Sequence, residues 1–292
     1  PNPLIRMRPL ALLALLALAD PTVALATETD LTAALAAPAG HERYRLALAA
    51  VRGTEDPRAA ARVIAHRDPQ IRAAAIDAGR ERIADAGDSF TEGQETIAWS
   101  LLNWAVAEEA DLASARRAVQ AVAESHCSFN GRVSTAIATL ALNTSKVQAK
   151  ELQLEAIAAL ADLRDGSKTA TLAKLAGDAD AEVAEAARDA LTLIQGKGVT
   201  DTFVRGIGDS ALGDQARIAL LQAATRRGMS AATPSAALAL AEPALRLEAQ
   251  KAVLKLARKG DLPALRAARD RLADAPAARS ALDRLIAKLE KE

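Results

Sequence analysis

Few residues of this chain could do chemistry, and their spacing decides what that chemistry would be. The single cysteine, Cys127, stands in the run His126-Cys127-Ser128-Phe129-Asn130-Gly131. A thiol beside an imidazole invites a nucleophile reading. Adjacent residues seldom face each other productively, however, and no third group is placed to orient them. The run reads as a helix-terminating loop. His41, His66 and His126 would have to converge with a carboxylate to hold zinc. Their wide, irregular spacing predicts no metal site. A lone cysteine also excludes a disulfide framework and a multi-cysteine metal centre. Gly196-Lys197-Gly198 and Gly206-Ile207-Gly208 lack the strand-to-helix turn and the Gly-Lys-Ser/Thr of a phosphate-binding loop. Both read as inter-helix loops. Catalytic, metal and cofactor-binding residues are therefore none by expectation, no cofactor is implied, and the chain does not read as an enzyme.

What remains is recognition. Trp99 and Trp104 are the two tryptophans, five residues apart, so on a helix they point in rather different directions. One could be core and the other partly exposed. No Lys or Arg lies between Arg82 and Arg116, while Asp85, Asp88, Glu92, Glu95, Glu108, Glu109 and Asp111 all fall there. Tryptophan is enriched at interface hot spots. Core filling accounts for the pair too. If it binds, the partner-binding set is Trp99, Trp104, Glu95, Glu108 and Glu109. Arg226-Arg227 and Lys251, Lys255, Arg258 and Lys259 form basic clusters, and Lys251, Lys255 and Lys259 would share one helix face. They read as solvated faces, or as a surface for an acidic partner or for phosphates. Formal net charge is zero, with 37 basic and 37 acidic residues. A general polyanion binder would be clearly basic, so another protein is the expected partner and nucleic acid is not.

The elements that carry these residues are helices. Half of the 292 residues are hydrophobic but only 2% are aromatic. Ala and Leu dominate, and both favour helix. Alternating strand patterns are nearly absent. One pattern recurs: a polar turn, an aliphatic-polar pair, then an Ala-rich helix. It is seen at Glu42–Ala50, Asp68–Ile76 and Asp180–Leu191, and more loosely at Leu152–Leu160 and Leu245–Leu256. Between these copies lie complementary helices after Asp56-Pro57, over Ser167–Ala176 and after Asp261-Leu262-Pro263. Pro57 and Pro263 suit a first turn. Asp56 and Asp261 are expected N-caps, and Gly53, Gly166, Gly177 and Gly260 expected left-handed C-terminal caps. Tyr44 to Ile71 is 27 positions and Leu152 to Val183 is 31, a period that suits a helix pair with two short turns. One pair cannot bury its apolar stripe alone, so pairs must stack into an open-ended array. Val183, Ala186, Ala187, Ala190, Leu191 and Ile194 fall on one such face.

The N-terminus has two readings. Met7–Ala26 has a short positive start, an apolar run over Leu10–Ala19 and a small-x-small site at Ala24-Leu25-Ala26. These are the parts of a signal peptide, which would make the mature chain periplasmic or secreted. Alternatively the segment is a first repeat helix, against which Pro9 counts, and the chain is cytoplasmic. The apolar run is short for a membrane span. Residues 27–292 are expected to form a single array, irregular at about 85–150.

The Asp-x-x-aliphatic-Arg-x-x-Ala-Ala pattern of Asp68–Ala75, and its relative in Asp180–Leu191, resembles HEAT repeats. It is most similar to short bacterial HEAT repeats, of the kind also found in phycobilisome lyases. The resemblance covers residues 28–84 and 150–195 well, 211–290 loosely and 85–150 poorly. It implies an all-α, armadillo-type, right-handed α-α superhelix of roughly seven or eight antiparallel helix pairs. The function it implies is a non-catalytic protein-binding scaffold. Alternatives are a phycobilin-lyase-like, tetrapyrrole-holding protein, or the HEAT segment of a larger secreted protein. The run from Tyr44-Arg45-Leu46 through Asp56-Pro57-Arg58 to Ile71-Arg72 also resembles HEAT segments of large secreted cytochrome proteins. The chain has no haem-attachment Cys-x-x-Cys-His, so that role does not transfer.

Overall fold

Alanine and leucine at three- and four-residue spacing turn most of the chain into helix, and every helix must find cover for its apolar stripe. The computed structural model describes residues 31–84, 90–107, 110–125, 131–142, 150–163 and 165–291. The signal-peptide segment, Glu108, Glu109, His126 and Cys127 lie outside the described residues. Residues 31–36 form α1, followed by α2 (His41–Gly53). Next come α3 (Pro57–Ile64), α4 (Pro69–Ala84), α5 (Glu92–Ala105) and α6 (Leu112–Ala123). The middle holds α7 (Gly131–Leu142), α8 (Lys150–Asp162), α9 (Thr169–Leu175) and α10 (Ala181–Leu193). The array continues with α11 (Val199–Gly208), α12 (Asp214–Arg227), α13 (Thr233–Ala239), α14 (Arg246–Leu256), α15 (Leu262–Asp270) and α16 (Pro276–Lys291). No strand occurs among the described residues.

Each odd-numbered helix from α3 onward packs against the even-numbered helix that follows it. Even helices then pack on even helices, and odd on odd, from one end of the array to the other. The result is two parallel layers, with one apolar core running between them from Leu31 to Leu289. From α6 to α10 the even helices pack on one another more extensively than the odd helices beside them. Helix α5, with the tryptophans, belongs to the odd layer.

Local chemistry explains the boundaries. Asp68, Asp111 and Asp180 each accept backbone N–H groups in the first turn of α4, α6 and α10. Thr91 and Gln94 close a reciprocal capping box on α5. Pro57 opens α3 and Pro263 lies in the first turn of α15. The expected Asp261 cap is different: its carboxylate accepts from the Arg258 N–H at 2.8 Å instead of capping α15. None of Gly53, Gly166, Gly177 and Gly260 is left-handed; the left-handed C-terminal cap is Gly228, which ends α12 at φ 67. Gly166 serves close approach instead, because a Cβ there would collide with the backbone of Lys197 and Val199. On α10, Val183, Ala187, Ala190 and Leu191 are buried as their spacing requires, whereas Ala186 is only half-buried.

Candidate binding face

An arginine in the first turn of an even helix recurs along the array, and its guanidinium does two jobs. Arg43 donates back to the Ala37 carbonyl at 2.7 Å and forward to Asp68 at 2.7 Å. Arg72, buried, donates to the His66 carbonyl at 3.0 Å and to Asp111 at 2.6 Å. Arg217, also buried, donates to the Ile207 carbonyl at 2.7 Å and grips both oxygens of Glu242 at 2.5 and 2.6 Å. Arg246 donates to the Leu240 carbonyl at 3.0 Å and to Asp274 at 3.1 Å. Each backward bond satisfies a carbonyl at or just beyond the end of the helix before it, which would otherwise lack a partner. Each forward bond reaches an acid at or shortly before the start of the next even helix. Where the arginine is missing, other side chains take its parts. Gln153 donates to the Ala141 carbonyl at 2.9 Å, and Lys150 reaches Asp180 at 2.9 Å. One clasp, reused from repeat to repeat, joins stacked helix pairs. The chain is an all-α helical-repeat solenoid.

The clasps shape the electrostatics of the array. The Arg217 hydrogen bond holds Glu242 below its usual range against the opposing effect of burial. For Asp68, burial is the largest single influence and acts upward. The bonds from Arg43, Ile71 and Gln70 together outweigh it and lower the carboxyl. Asp111 is lowered in the same way, burial opposing and Ser114 and Arg72 prevailing.

The exposed side of the even layer divides into two parts. From α2 to α8 it is crosslinked by ion pairs between neighbouring helices: Arg52 with Glu81, Arg80 with Glu124, Arg117 with Asp77 and Arg116 with Glu155. Asp77 is buried and takes two bonds from Arg117, at 2.8 and 2.6 Å, and one from the Tyr44 hydroxyl at 2.6 Å. That bond, together with burial, raises the Tyr44 phenol. From α10 to α16 this crosslinking lapses. Apart from the clasps, the even helices share there, among the described residues, only the wide Arg226–Asp189 pair at 3.8 Å. Leucines stand exposed in the same region: Leu193, Leu247 and Leu254 at 65, 65 and 48%. Ile218, on α12, is half-buried against the core.

The residues singled out by sequence fall in several places. Trp104 is buried, with the Arg72 guanidinium stacked 4.6 Å from its ring centre, so it is part of a clasp. Its indole N–H has no hydrogen-bond partner among the described residues. Trp99 is half-buried, and the Glu95 carboxylate faces Arg132 at 3.9 Å. Gly206-Ile207-Gly208 is the last turn of α11, not a loop. Lys259 stands beyond the end of α14 at Leu256, so the expected three-lysine stripe on one helix is broken. Lys251 is taken by Glu248 at 2.6 Å. Arg227 is no solvated charge: it stacks 5.6 Å from the Phe203 ring and caps the end of α10 through the carbonyls of Leu191, Thr192 and Ile194. Burial lowers its pKa. A shallow depression of about 420 Å³ lies beside Arg52, Arg82, Thr91 and Gln94, but Arg82 already bonds the Val51 carbonyl and Arg52 is held by Glu81. No group of three or more His, Cys, Asp or Glu able to hold a metal occurs among the described residues. None of their helices is long and apolar enough to cross a membrane.

No family model and no curated protein matches the solenoid in sequence. Among solved structures, human deoxyhypusine hydroxylase in complex with glycerol is similar at 17% identity and a TM-score of 0.32, over 94% of this chain and all of that one. An engineered protein, a structural-genomics target, is similar at 16% identity and a TM-score of 0.31, over 82% of this chain and 98% of that one. Likenesses this distant speak to helical-repeat architecture alone. They do correct one expectation. A non-catalytic scaffold was inferred from shape and resemblance, and the first of these chains is named as a hydroxylase. Helical-repeat architecture therefore gives no ground for a scaffold role. The tetrapyrrole-holding and larger-protein alternatives rested on resemblance too and are set aside with it.

Proposed function

We propose that this solenoid recognises another protein through the exposed side of its even layer between α10 and α14. The Asp68–Ala75 pattern supports a further reading, that the repeats are of the HEAT kind and similar to short bacterial ones. One observation supports the recognition reading above the rest. The inter-helix ion pairs that occupy this surface from α2 to α8 stop, and exposed leucines replace them. An ion-paired surface must be desolvated and broken before it can bind, whereas exposed leucine gains free energy when covered. The balanced net charge favours a protein over a polyanion.

The test is comparative capture from the source cells with the full chain and with Leu247→Ser plus Leu254→Ser. Both leucines are exposed, so the variant should keep its helicity by circular dichroism. A partner held by the wild type is then purified and titrated against both chains. Affinity at least about tenfold weaker for the variant, roughly 1.4 kcal/mol, supports the assignment. Equal affinity removes this face as the binding surface.

A further inference from the structure

We infer that helix α14 seats an amphipathic helix of the partner, apolar on one face and acidic along its flank. This deepens the reading above and rests on it. Leu247 and Leu254 stand seven residues apart on α14, both exposed. Seven residues make two turns, about 10.5 Å along the axis, so both side chains leave the helix on the same side. A second helix laid along α14 meets them with its own apolar residues two turns apart, the arrangement of helix-in-groove recognition. An isolated exposed leucine means little. Two in register, where the ion-pair crosslinking between even helices has lapsed, make a pair of apolar anchors, with Gln250 and the Glu248-paired Lys251 between them.

Charge fixes the flank. Lys255 and Lys259, at the C-terminal end of α14 and just beyond it, are exposed and have no acidic partner among the described residues. Neither has Arg284 on the neighbouring α16. Arg284 and Lys251 occupy equivalent positions, each five residues beyond a first-turn arginine, Arg279 or Arg246, whose N–H bonds four residues back. The leucine pair is thus bordered by cations that the fold leaves uncompensated, and a carboxylate-bearing helix answers them. Leucine beside lysine also suits an anionic bilayer. Here, however, α14 lies between α12 and α16 in the layer and not at an edge, a setting that a narrow rod reaches more readily than a flat surface.

The experiment uses the full chain and three probes: a labelled helical peptide of roughly 20 residues with leucines two turns apart and glutamate flanks, its twin with lysine flanks, and phosphatidylserine vesicles. Fluorescence anisotropy and vesicle sedimentation supply the readouts. The glutamate peptide is expected to bind, more weakly as salt rises. Leu247→Ser plus Leu254→Ser is expected to weaken it about tenfold or more, and Lys255→Glu plus Arg284→Glu to shift preference to the lysine twin. No binding of the glutamate peptide, equal binding of the twin, or capture by vesicles in preference to the peptide overturns the inference. If the peptide fails while the serine variant still releases the cellular partner, only the helix assignment falls. If the partner stays on that variant, the recognition reading falls as well.

Discussion

Glu242→Ala tests whether the clasp couples neighbouring repeats. Only 4% of the Arg217 side chain is exposed, while 46% of the Glu242 side chain is open to water. Stranding one member of a fully buried pair costs about 3–5 kcal/mol. Water at the Glu242 end screens the pair and can reach part of the arginine, so the expected cost falls to about 2 kcal/mol. Arg217→Met removes the cation but also strips the Ile207 carbonyl of its donor at 2.7 Å, a loss of about 1 kcal/mol. In the double variant no charge is stranded, so the two changes should fall short of additivity by about 1 kcal/mol. A repeat array does not unfold all-or-none, so one melting curve is a poor readout. Hydrogen exchange resolved by segment is the suitable assay. Protection should fall first in α11 and α14, which flank the clasp, and stay unchanged from α2 to α6. Additive effects, or protection lost evenly along the chain, would refute the nearest-neighbour reasoning.

Three further outcomes follow from the same geometry. Asp111→Ala removes both the α6 cap and the partner of Arg72, and should destabilise by about 2 kcal/mol. In a Trp99→Phe background it should also shift Trp104 fluorescence, because the stacked guanidinium loosens; an unmoved spectrum would contradict the stacking. Gly166→Ala should cost about 2 kcal/mol or more through collision with the Lys197 and Val199 backbone, whereas Gly208→Ala, with open space around it, should be neutral by urea titration. Acid should loosen the array. Asp68, Asp111 and Glu242 have lowered pKa values in the fold, so on acidification the unfolded chain takes up protons first. The stability these groups add is complete above the ordinary carboxylate range and drains away as pH falls through the lowered values. Hydrogen-exchange protection factors of the helices around these carboxylates that stay flat from neutral pH to about pH 3 would contradict this.

Helix identity, the pairing of helices and the apolar faces were legible in the sequence, because they depend on residues three and four apart. Val183, Ala187, Ala190 and Leu191 are buried as a 3.6-residue period demands. The two roles of the tryptophans were half legible: five residues of spacing separate a buried Trp104 from a half-buried Trp99, but nothing local shows that Arg72 covers the buried one. The leucine pair was missed. Leu247 and Leu254 sit in a repeat helix where leucine ordinarily means core, and only the neighbours of α14 show which leucines are left uncovered.

The Asp68-x-x-x-Arg72 motif marks the boundary between the two kinds of knowledge. Alone, it suggests a pair within one helix, four residues apart. In the fold each residue turns outward to a different repeat: Asp68 to Arg43, 25 positions back, and Arg72 to Asp111, 39 positions ahead. Local periodicity decided that these segments are helices and which face each one buries. Which arginine meets which acid, and where the ion pairs end, was decided by stacking, because loops of unequal length bring distant helices together at distances no local pattern encodes.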